Sequence, residues 1–573
     1  MNVKKVSFCW SVTLVFIVLF MACTKKVDQN FKAQKTPVGE QIFNRIKAGN
    51  LRAGGDSIYA RAALTDFYGR RLYHPAWNDS RRPTRLVDDL VKAIRRADLE
   101  GLRPEDYHLS AIENLLAAIH SDIQKGFVVA PDRFAEFDLL LTDAFLVYGS
   151  HLLFGKVNPE TINPKWIANK KTIDFATVLE GALTSGQLNS TLTTLAPAQI
   201  GYRRLSETLA HYRELASLGG WPTIPDGQTM KKGDHGERVA TLRKRLGLGG
   251  DLDVAKEGDP DLFDLSLEQA LKRFQRCHGL IQSGTMDAST RDELNVSVER
   301  RIEQLELNLE RWRWLPQDLG RRYILVNIPA FKLEVHEDDS LVLGMRIVVG
   351  TIKDPTPILN ATMEYMFINP YWNVPRDMAV YEMLPRIKSD SSYLTRQNFH
   401  LLMDSGADAR EVAPETVNWS SITPDNFPYR LRQDPGPFNG MGRVKLIFPN
   451  KFDVYLHDTP GRHLFEKPQR TFSHGCIRIE QPIDLAVYLL RGDPRGNPSA
   501  FLRELGKKVP SSVVLPEKIP IYLVYWTVWT DGDGTIQFRP DVYSWDALLL
   551  VAMRSPLPTK KMVGAQNMGA QGG

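Results

Sequence analysis

Four cysteines in 573 residues are too few for a disulfide-stapled scaffold. Two of them, Cys9 and Cys23, lie in an N-terminal leader, so the body of the chain holds only Cys277 and Cys476. These two fall in segments of different character, which argues against a bridge between them. Charge of one sign is also lacking. The formal net charge of +5 is a small bias spread along the chain, not the basic stripe that nucleic-acid binding needs, so no nucleic-acid partner is expected. Beyond the leader there is no long unbroken apolar run. The most apolar later stretch, DRFAEFDLLLTDAFLVYGSHLLFG, is interrupted by Asp138, Thr142 and Asp143 and reads as a core helix, not a membrane span. With 43% hydrophobic and 24% charged residues, the composition is that of a globular chain of roughly three to four domains.

The leader itself, MNVKKVSFCWSVTLVFIVLFMACTKK, has Lys4 and Lys5, then an apolar run to Ala22, then Cys23 and polar residues, the layout of an export signal. Ala22 before Cys23, closely following Leu19, resembles a bacterial lipoprotein signal, which implies cleavage after residue 22 and a lipid on Cys23; Phe20 stands where that pattern usually has Leu. An uncleaved anchor is the alternative, because the run approaches the roughly 17 to 18 apolar residues that span a bilayer. Either way the chain crosses a membrane and stays tethered to it, with 23–40 as a polar linker. An exported protein that keeps a lone thiol in an oxidising compartment either uses it or hides it. Cys277, in the helix-like ALKRFQRCHGL, fits the hidden case.

Periodicity divides the body into a multidomain α+β chain. Residues 41–220 read as a helical scaffold in which His108 and His151 are packing or surface residues. The Gly/Pro-rich SLGGWPTIPDGQ precedes a compact unit at 229–296 laid out as helix, glycine loop, helix, glycine turn and short helix. Its KKGDHGERVATLRKRL, ALKRFQRCHGL and SGTMDASTRDELN resemble the small three-helix peptidoglycan-binding domain of cell-wall enzymes; a three-helix adaptor without a ligand is the alternative. A connecting helix covers 297–321. Residues 322–548 are β-rich, with an irregular insertion at about 376–436, and 549–573 form a tail ending in low-complexity sequence.

The chemistry concentrates in SHGCIRIE, Ser473 to Glu480. Cys476 follows a glycine and precedes a short branched-apolar run, so it sits at the mouth of a strand. Gly475 permits an unusual backbone and close substrate approach, and N–H groups at such a turn can face a developing oxyanion. A thiol with an ordinary pKa of about 8.5 needs a base, and a neighbouring imidazole can lower it toward thiolate. His474 is two residues away, across about 6.5 Å of extended rise, too far for a direct hydrogen bond. His457, at the end of the strand KFDVYLH, can be brought beside Cys476 by a neighbouring strand about 4.8 Å away and is the expected base. A backbone carbonyl near Asp458 or a carboxylate can serve as third member. His457, His463, His474 and Cys476 are also zinc-ligand types, but their spacing is irregular and no carboxylate motif accompanies them, so no metal is expected.

His457, a fifteen-residue gap, then Ser473-His474-Gly475-Cys476-Ile477-Arg478 resembles the signature of the L,D-transpeptidases with a YkuD-type catalytic domain. The flanks RIVVGTIKDPTP, FINPYWNVP, YLHDTP and FRPDVY resemble the large multidomain YcbB-like branch of that family, with similarity over about 41–548. The resemblance implies an enzyme in which Cys476 attacks a peptidoglycan stem peptide ahead of its fourth, D-alanine residue, His457 shuttles the proton, and a second stem accepts the acyl group in a 3→3 cross-link. It implies that Gly475 and Cys476 face the oxyanion while His474 shapes the turn. Ser473, Arg478, Tyr455, Trp372 and Asn373 become candidate substrate contacts, with Arg478 either binding a carboxylate or bracing its loop. It further implies a cap over the cleft from 376–436, acylation of Cys476 by carbapenems, no cofactor, and a periplasm-facing, membrane-tethered lipoprotein with other cell-wall synthesis enzymes as candidate partners. Asp458 stands where many family members have glycine. Water as acceptor (a carboxypeptidase), a protein lysine as acceptor, and an idle wall-binding scaffold are the rival readings.

Overall fold

The computed structural model describes residues 36–49, 51–169, 171–253, 259–390, 392–403 and 409–557. The leader with Cys23 and its expected lipid, and residues from 558 on, lie outside the described residues; the expected linker and tail are both shorter than 23–40 and 549–573, because the helices Pro37–Lys47 and Trp545–Arg554 bury Val38, Leu549 and Met553 in the fold.

The N-terminal part is built around helix α1, Pro131–Phe154, which starts on a proline whose missing N–H costs a first turn nothing and is buried on almost every side. It is the one helix among the described residues long and apolar enough to cross a membrane, and it lies inside the fold. Its polar interruptions are anchors. Asp138 accepts the N–H groups of Ala76 and Trp77, the Asn78 amide and the Tyr68 hydroxyl. Asp143 accepts the N–H groups of Tyr59 and Ala60 and meets His108 Nε2 at 2.8 Å. Burial opposes a charge on His108, but the carboxylates of Asp143 and Asp56 raise its pKa to about 9. His108 and His151 are both buried packing residues.

Helix α2, Ile200–Ser217, closes this part. Helices α3 (Glu237–Leu248), α4 (Leu265–Cys277) and α5 (Ala288–Leu294) then enclose a small core of Leu242, Leu246, Phe263, Leu271 and Phe274. Asp264 and Asp287 cap α4 and α5 through the N–H groups of Leu267 and Thr290. This unit docks on the hairpin Val528–Thr530/Ile536–Phe538. His278 stacks on Phe538 at 5.1 Å, Arg539 Nη1 donates to the Cys277 carbonyl at 2.8 Å, and the Cys277 thiol is buried.

Helix α6, Val298–Arg313, is the structural difference from a plain connector: it is buried along most of its length despite its charges. Several of those charges are paired, within the helix or with its neighbours. Arg313 pairs with Glu310, Arg311 with Asp546, and Glu306 with both Arg213 and Arg554.

The C-terminal part is a closed circuit of strands. These are β1 (Arg322–Asn327), β2 (Lys332–Glu337), β3 (Ser340–Gly350) and β4 (Leu359–Ile368), then, after β5 (Trp372–Asn373), β6 (Phe399–Met403), β7 (Arg410–Val412) and β8 (Tyr429–Gln433) of a separate sheet, β9 (Val444–Ile447), β10 (Leu456–His457), β11 (Thr471–Ser473), β12 (Ile477–Ile479) and β13 (Ser511–Val524). The order β11-β3-β12-β10-β9-β4-β13-β1-β2, with β2 also paired to β3, closes on itself and removes the exposed edges of an open sheet. Alternate residues, among them Ile324, Ile347, Met366, Leu446, Leu456, Ile477 and Ile521, fill its core.

The insertion is more regular than its sequence implies. A helical run over 376–389, with a π turn at Ala379–Met383, packs on the antiparallel sheet β5-β8-β6-β7. Val380, Leu384, Ile387, Leu401, Trp419 and Leu431 give it a core of its own.

Candidate active site

The register of two short strands assembles the site. β10 and β12 run parallel with Leu456 opposite Ile477 and His457 opposite Arg478, and the Ile477 N–H donates to the Tyr455 carbonyl at 3.0 Å. Leu456, Ile477 and Ile479 enter the barrel core, so Tyr455, His457, Cys476 and Arg478 share the opposite face. β9 pairs antiparallel with β10 and sets Lys445 opposite His457 on that face. One row across three strands therefore reads Lys445, His457, Arg478; the next places Tyr455 level with Cys476.

His457 is buried, and its Nδ1–H donates to the Asp458 carbonyl at 2.6 Å, which leaves Nε2 free to accept a proton. Burial first, then the charges of Arg478 and Lys445, push its pKa down to about 3 against the hydrogen bonds to backbone at Asp458 and Met441. The Asp458 carboxylate is occupied elsewhere, accepting the N–H groups of Arg443 at 2.8 Å and Thr459 at 2.7 Å. Its carbonyl, not its side chain, orients the imidazole.

Cys476 is half-buried and its Sγ–H points to the Asp453 carbonyl at 3.8 Å. Burial pushes the thiol pKa up, against hydrogen bonding from Tyr455 and the charges of Lys445 and Arg478. The expectation of an imidazole-lowered thiol is therefore corrected. Thiol and imidazole are both neutral at rest, diagonal across the β10/β12 pair, and make no hydrogen bond to each other among the described residues.

The turn before Cys476 is held from three sides. Gly475 adopts φ +104°, a conformation side-chain-bearing residues avoid. Its N–H donates to Ser473 Oγ at 3.2 Å, and Ser473 Oγ in turn donates to the Cys476 carbonyl. Thr356 Oγ1 donates to the Gly475 carbonyl at 2.8 Å and accepts the Gly350 N–H at 2.9 Å. The Tyr543 hydroxyl donates to the Gly350 carbonyl at 2.7 Å. A Cβ on Gly350 would collide with the Asp354 carbonyl and the Thr356 nitrogen and come within 3.0 Å of Gly475 Cα. Sequence reasoning did not single out Gly350, Thr356, Tyr543 or Lys445; the first three sit in or beside the noticed flanks RIVVGTIKDPTP and FRPDVY.

The other sequence candidates disperse. His474 Nε2 meets Glu382 Oε1 at 2.6 Å and so ties the turn before Cys476 to the helical run of the insertion. Trp372 packs against the cap core, and Asn373 is exposed beside it. Arg478 is half-buried, with an Nε that no acceptor reaches. Among the described residues no three His, Cys, Asp or Glu side chains gather as a metal-ligand set.

Residues 321–496 match the family model described as the L,D-transpeptidase catalytic domain. This part of the chain is thus similar to L,D-transpeptidase catalytic domains. Residues 62–209, the helical part that precedes it, match the family model described as a scaffold domain. An inferred L,D-transpeptidase of Haemophilus influenzae is 34% identical over 272 residues, which cover 48% of this chain and 53% of that protein, about half its length. Among solved structures, an L,D-transpeptidase fragment from Xylanimonas cellulosilytica is 14% identical, covering 52% of this chain and 98% of its own, with a TM-score of 0.16. An L,D-transpeptidase from Mycobacterium smegmatis is 13% identical, covering 35% of this chain and 58% of its own, with a TM-score of 0.17. The transpeptidase match ends at 496, before β13 completes the barrel and before Tyr543 reaches the catalytic turn.

Proposed function

We propose that the chain is an L,D-transpeptidase that makes 3→3 cross-links in peptidoglycan through a cysteine thioester. The observation that carries this reading is the β10/β12 register, which sets His457, with its tautomer fixed by the Asp458 carbonyl, on one face with Cys476. Sγ attacks the carbonyl between the third and fourth stem residues while His457 Nε2 takes the thiol proton. The C–N bond breaks as that proton passes to the departing amine of D-alanine, leaving a thioester. The side-chain amine of a second stem then attacks; a C–N bond forms, the C–S bond breaks, and the amine's proton returns through His457 to the thiolate. The oxyanion forms at the Gly475–Cys476 turn, where Arg478 adds positive potential. Because thiol and imidazole rest neutral, proton transfer accompanies attack. Carbapenems acylate the same sulfur. The leader keeps the enzyme in the cell envelope, facing the periplasm and tethered through a lipid on Cys23, and the three-helix unit supplies a second hold on the wall.

Incubating the soluble body with disaccharide tetrapeptide and weighing the products tests this. Cross-linked dimer is expected; tripeptide alone means a carboxypeptidase, and no turnover means a scaffold. Cys476→Ala abolishes turnover. A Cys476→Ala variant that stays active, or an enzyme stopped by chelator and not by thiol alkylation, overturns the mechanism.

A further inference from the structure

Two cations stand on the catalytic face without a counter-charge. Lys445 is half-buried on β9, its Nζ 3.8 Å from the centroid of the Tyr455 ring, and among the described residues it has no salt-bridge partner. The Cys476 thiol and Asp453 are the acidic groups that act on it, and neither forms a salt bridge with it among the described residues. Arg478 on β12 likewise has no salt bridge among the described residues. Holding an ammonium in this position costs desolvation that the fold does not offset with a carboxylate. A lone lysine at the surface would need no explanation. This one stands opposite the catalytic imidazole, in register, on the strand farther from the nucleophile.

The order across the sheet is β9, β10, β12, that is Lys445, His457, then Arg478 with Cys476. The acyl part of a donor peptide stays over the sulfur on the β12 side. The departing amine must come within hydrogen-bond reach of His457 to receive its proton. In a terminal amino acid, only one carbon separates that amine from the free carboxylate. The carboxylate therefore lies within a few ångströms of His457, on the side away from Cys476, and Lys445 is the cation there. We propose that Lys445 binds the C-terminal carboxylate of the leaving residue and so restricts donors to peptides cut one residue from a free C-terminus. This rests on the transpeptidase reading above and adds to it a determinant of donor length. It also has a catalytic consequence: a bound carboxylate cancels a charge that disfavours imidazolium, so the correct donor eases proton transfer to His457.

The test compares two donors, a disaccharide tetrapeptide ending in free D-alanine and the same compound ending in D-alaninamide, on wild type, Lys445→Met and Lys445→Arg. Wild type is expected to favour the acid in kcat/KM by on the order of 10- to 100-fold, the range for a charge-assisted hydrogen bond. Lys445→Met should lose that preference through the acid alone and keep its rate on the amide, which also shows that it folds. Lys445→Arg should retain most of the preference. If Lys445→Met slows both donors equally, or keeps the acid preference, the proposal fails. If Lys445→Met turns over neither donor, the arginine variant decides: a retained acid preference supports the proposal and its loss overturns it. A wild-type enzyme that uses both donors equally sinks the Lys445 assignment while leaving the transpeptidase intact; one that uses neither sinks both.

Discussion

At the scale of single residues, the protonation of His457 and Cys476 decides how the site works. An imidazole held down to about 3 and a thiol held above its ordinary value do not exchange a proton at rest. Alkylation of Cys476 by iodoacetamide, followed by mass mapping of its peptide, should therefore accelerate about tenfold per pH unit between pH 6 and 8, as the thiolate fraction grows. A rate already level across that window would reveal a preformed thiolate–imidazolium pair and refute the neutral resting state. The linkage sign for folding is separate. His457 has a folded pKa below its unfolded one, so its contribution to stability is complete above about pH 6.5 and is lost as pH falls toward 3. Cys476 and His457 stood out as candidates in the sequence because a thiol, a glycine and histidines are rare and chemically loud. Lys445 was not, since a lysine alternating with apolar residues in GRVKLIFPN reads as an ordinary solvent-facing strand residue.

At the scale of elements, the catalytic turn depends on residues more than a hundred positions away. Thr356 links the end of β3 to Gly475 through one hydroxyl that both donates and accepts. Thr356→Val keeps the shape and leaves a buried carbonyl and N–H without partners, at a cost of about 1–3 kcal/mol. It should lower the melting temperature and reduce kcat more than it raises KM, because the turn and not substrate binding is disturbed. An unchanged kcat would show that Tyr543 and Ser473 hold the turn without it. The cap shows why element-level reading of the sequence fell short. β5, β7 and β8 are short, and FHLLM lacks strict alternation because part of it enters the insertion's own core. A strand of two to five residues acquires its identity from the partner it pairs with, not from its own pattern.

At the scale of the molecule, α6 is the strut on which the scaffold, the three-helix unit and the barrel meet. The sequence marked it only as a connecting helix; the fold buries its charged residues and pairs them across part boundaries. Arg311 and Asp546, both almost wholly buried, join α6 to the C-terminal helix Trp545–Arg554 at 2.6 Å. Asp546→Ala strands a guanidinium in the interior and should cost about 3–5 kcal/mol, read as an earlier denaturant midpoint, while the double change Arg311→Met with Asp546→Leu should recover most of it. A double variant as unstable as the single one would mean that the pair's geometry, not its isolated charge, matters.

What the sequence by itself determined is what local chemistry can encode: the helical and β-rich halves, the buried helix broken by polar anchors, and the thiol and imidazole proposed as nucleophile and base. Tertiary structure alone decided what depends on register and enclosure. Parallel pairing of two strands only two and three residues long chose which face His457 and Cys476 share and placed cations on both sides of the base. Burial then set the direction of both pKa shifts, because the cost of a charge depends on the medium around it and no stretch of sequence carries that medium with it.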